Sequence, residues 1–193
     1  AAGARAAASP AGVAGESDVV ITMVPDSPDV RLVIEGPQGV FETLRAGSVI
    51  VDMSTIAPAV ARDLAAKAAA RGVAMLDAPV SGGEIGAVNA SLSVMVGGDA
   101  AALERVRPIL NAMGNPDKVV HIGPSGAGQV CKVCNQICIG GALASVGEAF
   151  AIARKAGIDP ARVREALMGG FAASRVLEVH GERILKGNYV PGF

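Results

Sequence analysis

The chain has 193 residues, enough to bury a sizeable core in one domain or two small ones. Its 17 basic and 18 acidic residues nearly cancel, so nothing in the charge calls for nucleic acid or another polyanion. Hydrophobic residues make up 51%, much of it alanine, yet the apolar runs stop short of the ~20 residues of a membrane span, and the Ala/Gly/Ser-rich start around Arg5 lacks a signal-peptide core. The expectation is a soluble, cytoplasmic protein with no membrane partner.

In chain order, the segment from Ser9-Pro10 to Glu16 predicts a short helix before a strand. Asp18 to Val24 is a nearly continuous apolar, β-branched run, the pattern of a buried parallel strand, and Pro25-Asp26-Ser27-Pro28 ends it. Asp29 to about Glu35 predicts a turn or two of helix. A second buried strand is Ser48 to Asp52, followed by Met53-Ser54-Thr55 and a helix over about 59–71. The third is Ala74 to Asp77, leading into Ala78-Pro79-Val80-Ser81-Gly82-Gly83. Leu92 to Val96 is the fourth, stopped by Gly97-Gly98; a helix over about 100–113 and a strand at Lys118 to His121 complete the series. Strands alternating with helices predict an α/β fold with a parallel, doubly wound sheet. From Gly126 onward the pattern is helical: a long helix to about Lys155, ended by Ala156-Gly157; another from Asp159-Pro160; a break at Met168-Gly169-Gly170-Phe171; and a last helix from Ser174 to about Lys186. The division expected is an incomplete Rossmann-type domain over 1–124 and a partial all-helical domain over 125–193, which begins with the long helix.

Ligands of such sheets collect beyond the carboxyl ends of the strands. Pro25-Asp26-Ser27, Ser54-Thr55 and Ser81-Gly82-Gly83 occupy that position. Glycines at 82 and 83 let backbone N–H groups approach a carboxylate, and Ser81 adds a hydroxyl. The helix opened by Gly126 and Gly128 carries Lys132 near its start, with Asn135 and Gln136 flanking it on the same face. The positive end of the macrodipole disfavours the charged form of such a lysine and suits it to donate a proton. The alternative is a surface lysine on an amphipathic helix.

Cys131, Cys134 and Cys138 form one helical stripe with Ala142 and Ser145, away from Lys132. With no second Cys pair and no nearby histidine, a stripe of small side chains packed against another helix explains them better than a metal or redox site. His121 and His180 lack partners at ligand spacing and are read as structural or surface residues, so no metal is expected. Arg175 and Arg183 are read as a solvated face.

Asp77-Ala78-Pro79-Val80-Ser81-Gly82-Gly83, followed by Gly126-x-Gly128-x-x-x-Lys132-x-x-Asn135-Gln136, closely resembles the β-hydroxyacid dehydrogenase family. Met23-Val24-Pro25 and Asp52-Met53-Ser54-Thr55 look like two further signatures of that family. Gly82 to Ala87, Cys131 to Gln136, Ala166 to Phe171 and Arg175 to Arg183 look most like its branch that reduces tartronate semialdehyde to glycerate. The resemblance implies a reductase that uses NAD or NADP on a small aldehyde acid. Glyoxylate, succinate semialdehyde and methylmalonate semialdehyde are alternative substrates, and a non-catalytic binding or oligomerisation module is the rival of another class. By resemblance Lys132 is the proton donor, and Ser81, Gly82 and Gly83 hold the substrate carboxylate. Asn135 and Gln136 are both candidates to orient substrate; Val24 and Pro25 lie beside the cofactor, and Thr55 near its nicotinamide and ribose. The family usually self-associates through its helical domain, so a homo-oligomer is expected.

The sequence departs from the family in having no Gly-x-Gly-x-x-Gly for the pyrophosphate, and it ends at Pro191-Gly192-Phe193, before a family helix with a Lys-Asp pair. Ala1 corresponds to a point just past the second strand of the family's first domain. The expectation is therefore the middle of an enzyme, inactive by itself, without the residue that tells NAD from NADP. An exposed sheet edge and exposed apolar surface are expected with it.

Overall fold

The computed structural model describes residues 3–190. These residues pack into two compact units that divide between Val133 and Cys134. In the first, α1 (Pro10–Gly15) precedes β1 (Val19–Thr22), α2 (Ser27–Glu35), β2 (Val49–Asp52), α3 (Pro58–Ala69) and β3 (Ala74–Asp77). These are followed by β4 (Val80–Ser81), α4 (Gly83–Val88), β5 (Leu92–Gly97), α5 (Ala100–Met113) and β6 (Gly114–Gly123). The long helix α6 (Ala127–Lys155) gives its first turns to this unit and the rest to the second, where α7 (Pro160–Met168) and α8 (Arg175–Leu185) follow.

Period-two alternation builds two cores on one sheet. Val49, Val51 and Leu76 face α5, where Leu103, Val106 and Leu110 are fully buried with Val94 and Val96. Ile50 and Met75 point the other way, onto Val30 and Ile34 of α2 and Ala61, Leu64 and Ala68 of α3. All four residues of β2 are therefore buried, as its unbroken apolar run predicts. Local chemistry sets the helix starts. Asp26 caps α2 in a reciprocal capping box with Asp29, which starts the helix at Ser27 rather than Asp29. Asp99, Asp159 and Ser174 cap α5, α7 and α8. In the second unit Val146, Phe150 and Leu177 form a small core with Leu167, Met168, Ile184 and Leu185.

The sheet is parallel over β1, β2 and β3, but β5 runs antiparallel to β3 and β4, and β6 runs parallel to β5. The expected Rossmann-type sheet is thus parallel in the main, with antiparallel pairing where β5 joins β3 and β4. The link from β4 to β5 holds only the six-residue α4, shorter than the dozen or so residues a parallel crossover needs, so the chain turns straight back. It also shows Ser81 to be the end of a strand and Gly83 the start of a helix, not parts of one loop. The last strand is longer than its apolar signal, Gly114–Gly123 rather than 118–121. Among the described residues β1 pairs with β2 alone, and Ile21 and Met23 are exposed beside it, as an open sheet edge requires. The family helix expected after residue 193 and the end at 191–193 lie outside the described residues.

Cys134 and Cys138 are exposed and Cys131 is half-buried, all three free. Among the described residues the exposed part of the cysteine stripe is therefore not packed against another helix of the same chain, which leaves packing between chains as the remaining form of that expectation. A helical wheel reports which residues share a face but not whether anything covers it.

Candidate functional site

The carboxyl ends of the three parallel strands carry a row of buried polar side chains. Thr22, Asp52 and Asp77 are adjacent in register on β1, β2 and β3, so they project to the same face. They are 4%, 0% and 2% exposed, which makes their hydrogen bonds obligatory. The Thr22 hydroxyl donates to Asp52 Oδ1 at 2.8 Å, and the Ser54 N–H donates to the same oxygen at 3.2 Å. Ser54 Oγ in turn accepts the Val24 N–H at 3.0 Å, which ties the tip of β1 to the tip of β2.

Asp77 holds the start of α6. Its Oδ1 accepts the Gly126 N–H at 2.7 Å and its Oδ2 the Gln129 N–H at 2.9 Å. Gln129, fully buried, clamps the segment after β2: its Oε1 accepts the Ile56 N–H at 3.1 Å and its Nε2 donates to the Ser54 carbonyl at 2.8 Å. One turn further along, Lys132 Nζ donates to the Val80 carbonyl at 2.8 Å. That contact sets the half-buried ammonium next to Ser81 and the glycines that follow. Gly82 and Gly83 have φ of 143° and 61°, conformations that a side chain would strain, so the turn from β4 into α4 requires them.

Burial shifts all three ionisable groups here toward neutrality. It pushes Lys132 below its ordinary value of 10.5. It pushes Asp52 above its ordinary 3.8 against hydrogen bonds from Ser54 and Thr22, and the adjacent Asp77 carboxylate adds to the rise. Asp77 is raised by burial as well, but the N–H groups of Gly126, Gln129 and Gly128 oppose this. Asp52 Oδ2 has no hydrogen-bond partner.

The folded-state pKa of Asp52 lies above its unfolded value. Its contribution to stability is then fully present below about pH 4 and is lost as pH rises through the folded pKa. Asp52→Asn, with no proton to lose, should gain on the wild type over that window. Denaturant unfolding should give a difference that is more favourable to the variant at pH 7.5 than at pH 4. A difference that does not change with pH contradicts a raised Asp52 pKa.

Of the residues picked out by sequence, the structure brings Lys132 to the Ser81-Gly82-Gly83 stretch and joins Val24 to the Ser54-Thr55 tip. Pro25 and Thr55 are exposed at the ends of β1 and β2. Asn135 and Gln136 belong to the second unit; Asn135 is half-buried, Gln136 is exposed, and the Asn135 amide donates to Gln136 Oε1 at 3.0 Å. His121 shares a 2.8 Å hydrogen bond with the Gly98 carbonyl, a structural use. Arg175 pairs with Glu178 on an exposed face. Sequence reading assigned no role to Asp52, Asp77 or Gln129. A signal existed for the first two, since each is a lone acid ending an apolar strand and so breaks the local pattern. Gln129 gave none.

The exposed Thr55 hydroxyl, with the exposed surfaces of Met23 and Pro25, suits the ring and ribose end of a nicotinamide dinucleotide. The first turn of α2 is closed by its own Asp26, so its N–H groups do not offer a pyrophosphate seat. The residues present fit one end of the cofactor.

Comparison with known proteins gives the family. Residues 1–123 match the family described as the NAD binding domain of 6-phosphogluconate dehydrogenase. Residues 126–193 match the NAD-binding family of NADP-dependent 3-hydroxyisobutyrate dehydrogenase. The 2-hydroxy-3-oxopropionate reductase of Escherichia coli strain K12 is 50% identical over 177 residues, 92% of this chain and 60% of that protein. A probable 3-hydroxyisobutyrate dehydrogenase-like protein of Arabidopsis thaliana is 42% identical over 99% of this chain and 57% of its own length. The crystal structure of 3-hydroxyisobutyrate dehydrogenase from Salmonella typhimurium superposes with a TM-score of 0.84 at 33% identity, over 96% of this chain and 64% of that one. The chain thus spans about 60% of the length of the curated relatives it matches. With its mixed α/β sheet, its long helix and its lysine beside a Ser-Gly-Gly turn, the chain belongs to the NAD(P)-binding β-hydroxyacid dehydrogenase family of oxidoreductases.

Proposed function

We propose that the protein containing this chain reduces a small aldehyde acid to its hydroxy acid, tartronate semialdehyde to glycerate, with Lys132 as general acid. The observation that carries the reading is the half-buried Lys132 ammonium, 2.8 Å from the Val80 carbonyl and one residue from Ser81. Bound NAD(P)H supplies the hydride. Lys132 gives its proton to the aldehyde oxygen, where negative charge develops, and takes it back in the oxidation direction. Ser81, Gly82 and Gly83 hold the carboxylate with a hydroxyl and backbone N–H groups. Val24, Pro25 and Thr55 line the nicotinamide end of the cofactor, and Asn135 and Gln136 orient the substrate. The 50% identity to a 2-hydroxy-3-oxopropionate reductase supports tartronate semialdehyde over its alternatives. The test is aldehyde-dependent oxidation of NADH and NADPH by the whole protein, with tartronate, succinate and methylmalonate semialdehydes and glyoxylate side by side. The highest kcat/KM is expected for tartronate semialdehyde. Higher kcat/KM for another of these acids replaces the substrate, and no turnover of any of them removes the activity.

We also propose that the protein self-associates through the second unit. Ile137 and Ile152 on α6 are 69% and 68% exposed, and a Cβ at Gly140, Gly141 or Gly147 would meet no other atom. An exposed apolar strip with small residues beside it is the surface that a second helix covers. By length and composition α6 is also apolar enough to cross a membrane, with a mean hydropathy of 1.5 over its best window. Sedimentation at micromolar concentration is expected to give an oligomer that Ile137→Glu converts to monomer. A wild-type monomer, or one recovered with membranes, rules against self-association.

A further inference from the structure

We propose that Asp77, acting through Gln129, is the positioning residue for Lys132. The inference rests on the reading of Lys132 as proton donor. The geometry is a closed circuit. From Asp77 the chain runs three residues to Val80, whose carbonyl accepts from Lys132 Nζ at 2.8 Å. From Lys132, one helical turn leads back to Gln129, whose N–H donates to Asp77 Oδ2 at 2.9 Å. A single buried carboxylate thus anchors both the donor and the acceptor of the lysine contact. The Gly126 N–H on the other oxygen keeps the helix from pivoting about one bond. The Gln129 side chain then fixes the same turn to Ser54 and Ile56, and Ser54 carries the tip of β1 through Val24. The proton donor and the strand tips around the candidate cofactor site are held as one piece.

Two glycines show that this arrangement is built around the carboxylate. A Cβ at Gly97 would stand 2.5 Å from Asp77 Oδ1 and 2.7 Å from the Gly128 nitrogen. A Cβ at Gly128 would stand 2.6 Å from the Asp77 carbonyl oxygen and 3.0 Å from its Oδ2. Strand and helix therefore close on the carboxylate from both sides with bare backbone, which leaves no room for water to replace a lost contact. The N-terminal end of α6 favours the anion at that place. The other groups that face it are Asp52 on β2, adjacent in register and itself pushed by burial toward the neutral form, and the uncharged Gln129.

The experiment compares wild type, Asp77→Asn and Gln129→Leu in the whole protein, each checked for cooperative unfolding. Competitive acylation of lysines is followed by mass spectrometry against pH, together with kcat and KM. Asparagine must turn an N–H donor toward one of the two backbone donors, so Asp77→Asn should free the start of α6. Lys132 should acylate about tenfold faster while Lys67 and Lys155 are unchanged. kcat should fall about 10–100-fold with KM changed less than about threefold, and the pH at which kcat falls off should move with the new Lys132 pKa. Gln129→Leu, which keeps the N–H but loses the clamp, should show the same changes at smaller size, and it decides the matter if Asp77→Asn does not fold. Wild-type Lys132 reactivity and kcat in a folded Asp77→Asn, or failing that in Gln129→Leu, overturn the proposal. If Lys132→Ala retains turnover while these variants still alter Lys132 reactivity, the positioning stands and the acid assignment is what fails.

Discussion

Lys132→Ala in the whole protein is expected to lower turnover of the aldehyde acid by about 10²–10⁴-fold with little change in cofactor affinity. Alanine removes the proton donor but none of the Val24, Pro25 and Thr55 surface. Lys132→Arg separates charge from proton transfer. Arginine keeps a cation near the Val80 carbonyl but does not release a proton at any working pH, so it should remain at least about 10²-fold slow. If Lys132 acts only by its charge, arginine restores most of the rate. The pH profile supplies a second reading. If Lys132 is the proton donor, the reduction needs the ammonium, so the wild-type rate should fall as pH rises through the Lys132 pKa, which burial places below 10.5. That limb should be missing from the alanine variant. Near-normal turnover of Lys132→Ala at neutral pH sinks the assignment.

Gly128→Ala is expected to be the most damaging single-methyl change in the chain. The added Cβ would press on the Met95 carbonyl oxygen and stand 2.6 Å from that of Asp77, both of them backbone atoms of sheet strands that have no rotamer to move. We expect a loss of about 3 kcal/mol, the upper end of what overpacking costs, against a total stability of about 5–15 kcal/mol. The start of α6 should be pushed off the sheet, which breaks the Asp77 and Gln129 contacts at the same time. Gly147→Ala, made in the Ile137→Glu background so that no second helix covers it, provides the control on the same helix. Its Cβ meets nothing within 4 Å, and alanine there should stabilise by about 0.5–1 kcal/mol through helix propensity. Urea unfolding of both variants checks the pair. Equal and small effects would show that α6 does not seat against β3 and β5 as described.

Much of the fold was legible because its signals are local. Val49-Ile50-Val51 has to be a buried strand, since an unbroken β-branched run has no polar face to show to water. Asp159-Pro160 and Ser174 start helices by their own chemistry. The strand tips and Lys132 could be picked out by motif and resemblance. The direction of β5 could not, because it depends on whether the ten residues between Ser81 and Leu92 go round the sheet or turn back. Nor could the fate of the cysteine stripe, since a wheel names a face without naming its cover. Asp77 could be read as the first residue of a signature, but its work is done on N–H groups 49 and 52 residues away.

By itself, then, the sequence determined which segments are strands and helices, where most helices start, and that a lysine follows a glycine-opened turn in the style of a dehydrogenase. The tertiary structure alone decided that β5 turns back, that Cys134 and Cys138 are exposed on the single chain, and that one buried carboxylate, one buried amide and two bare glycines fix the helix turn that carries that lysine. Propensities and caps act over a few residues and are written in order along the chain. Burial, hydrogen-bond partners and the pKa shifts they cause depend on distance in space, which only the packed sheet and helix set.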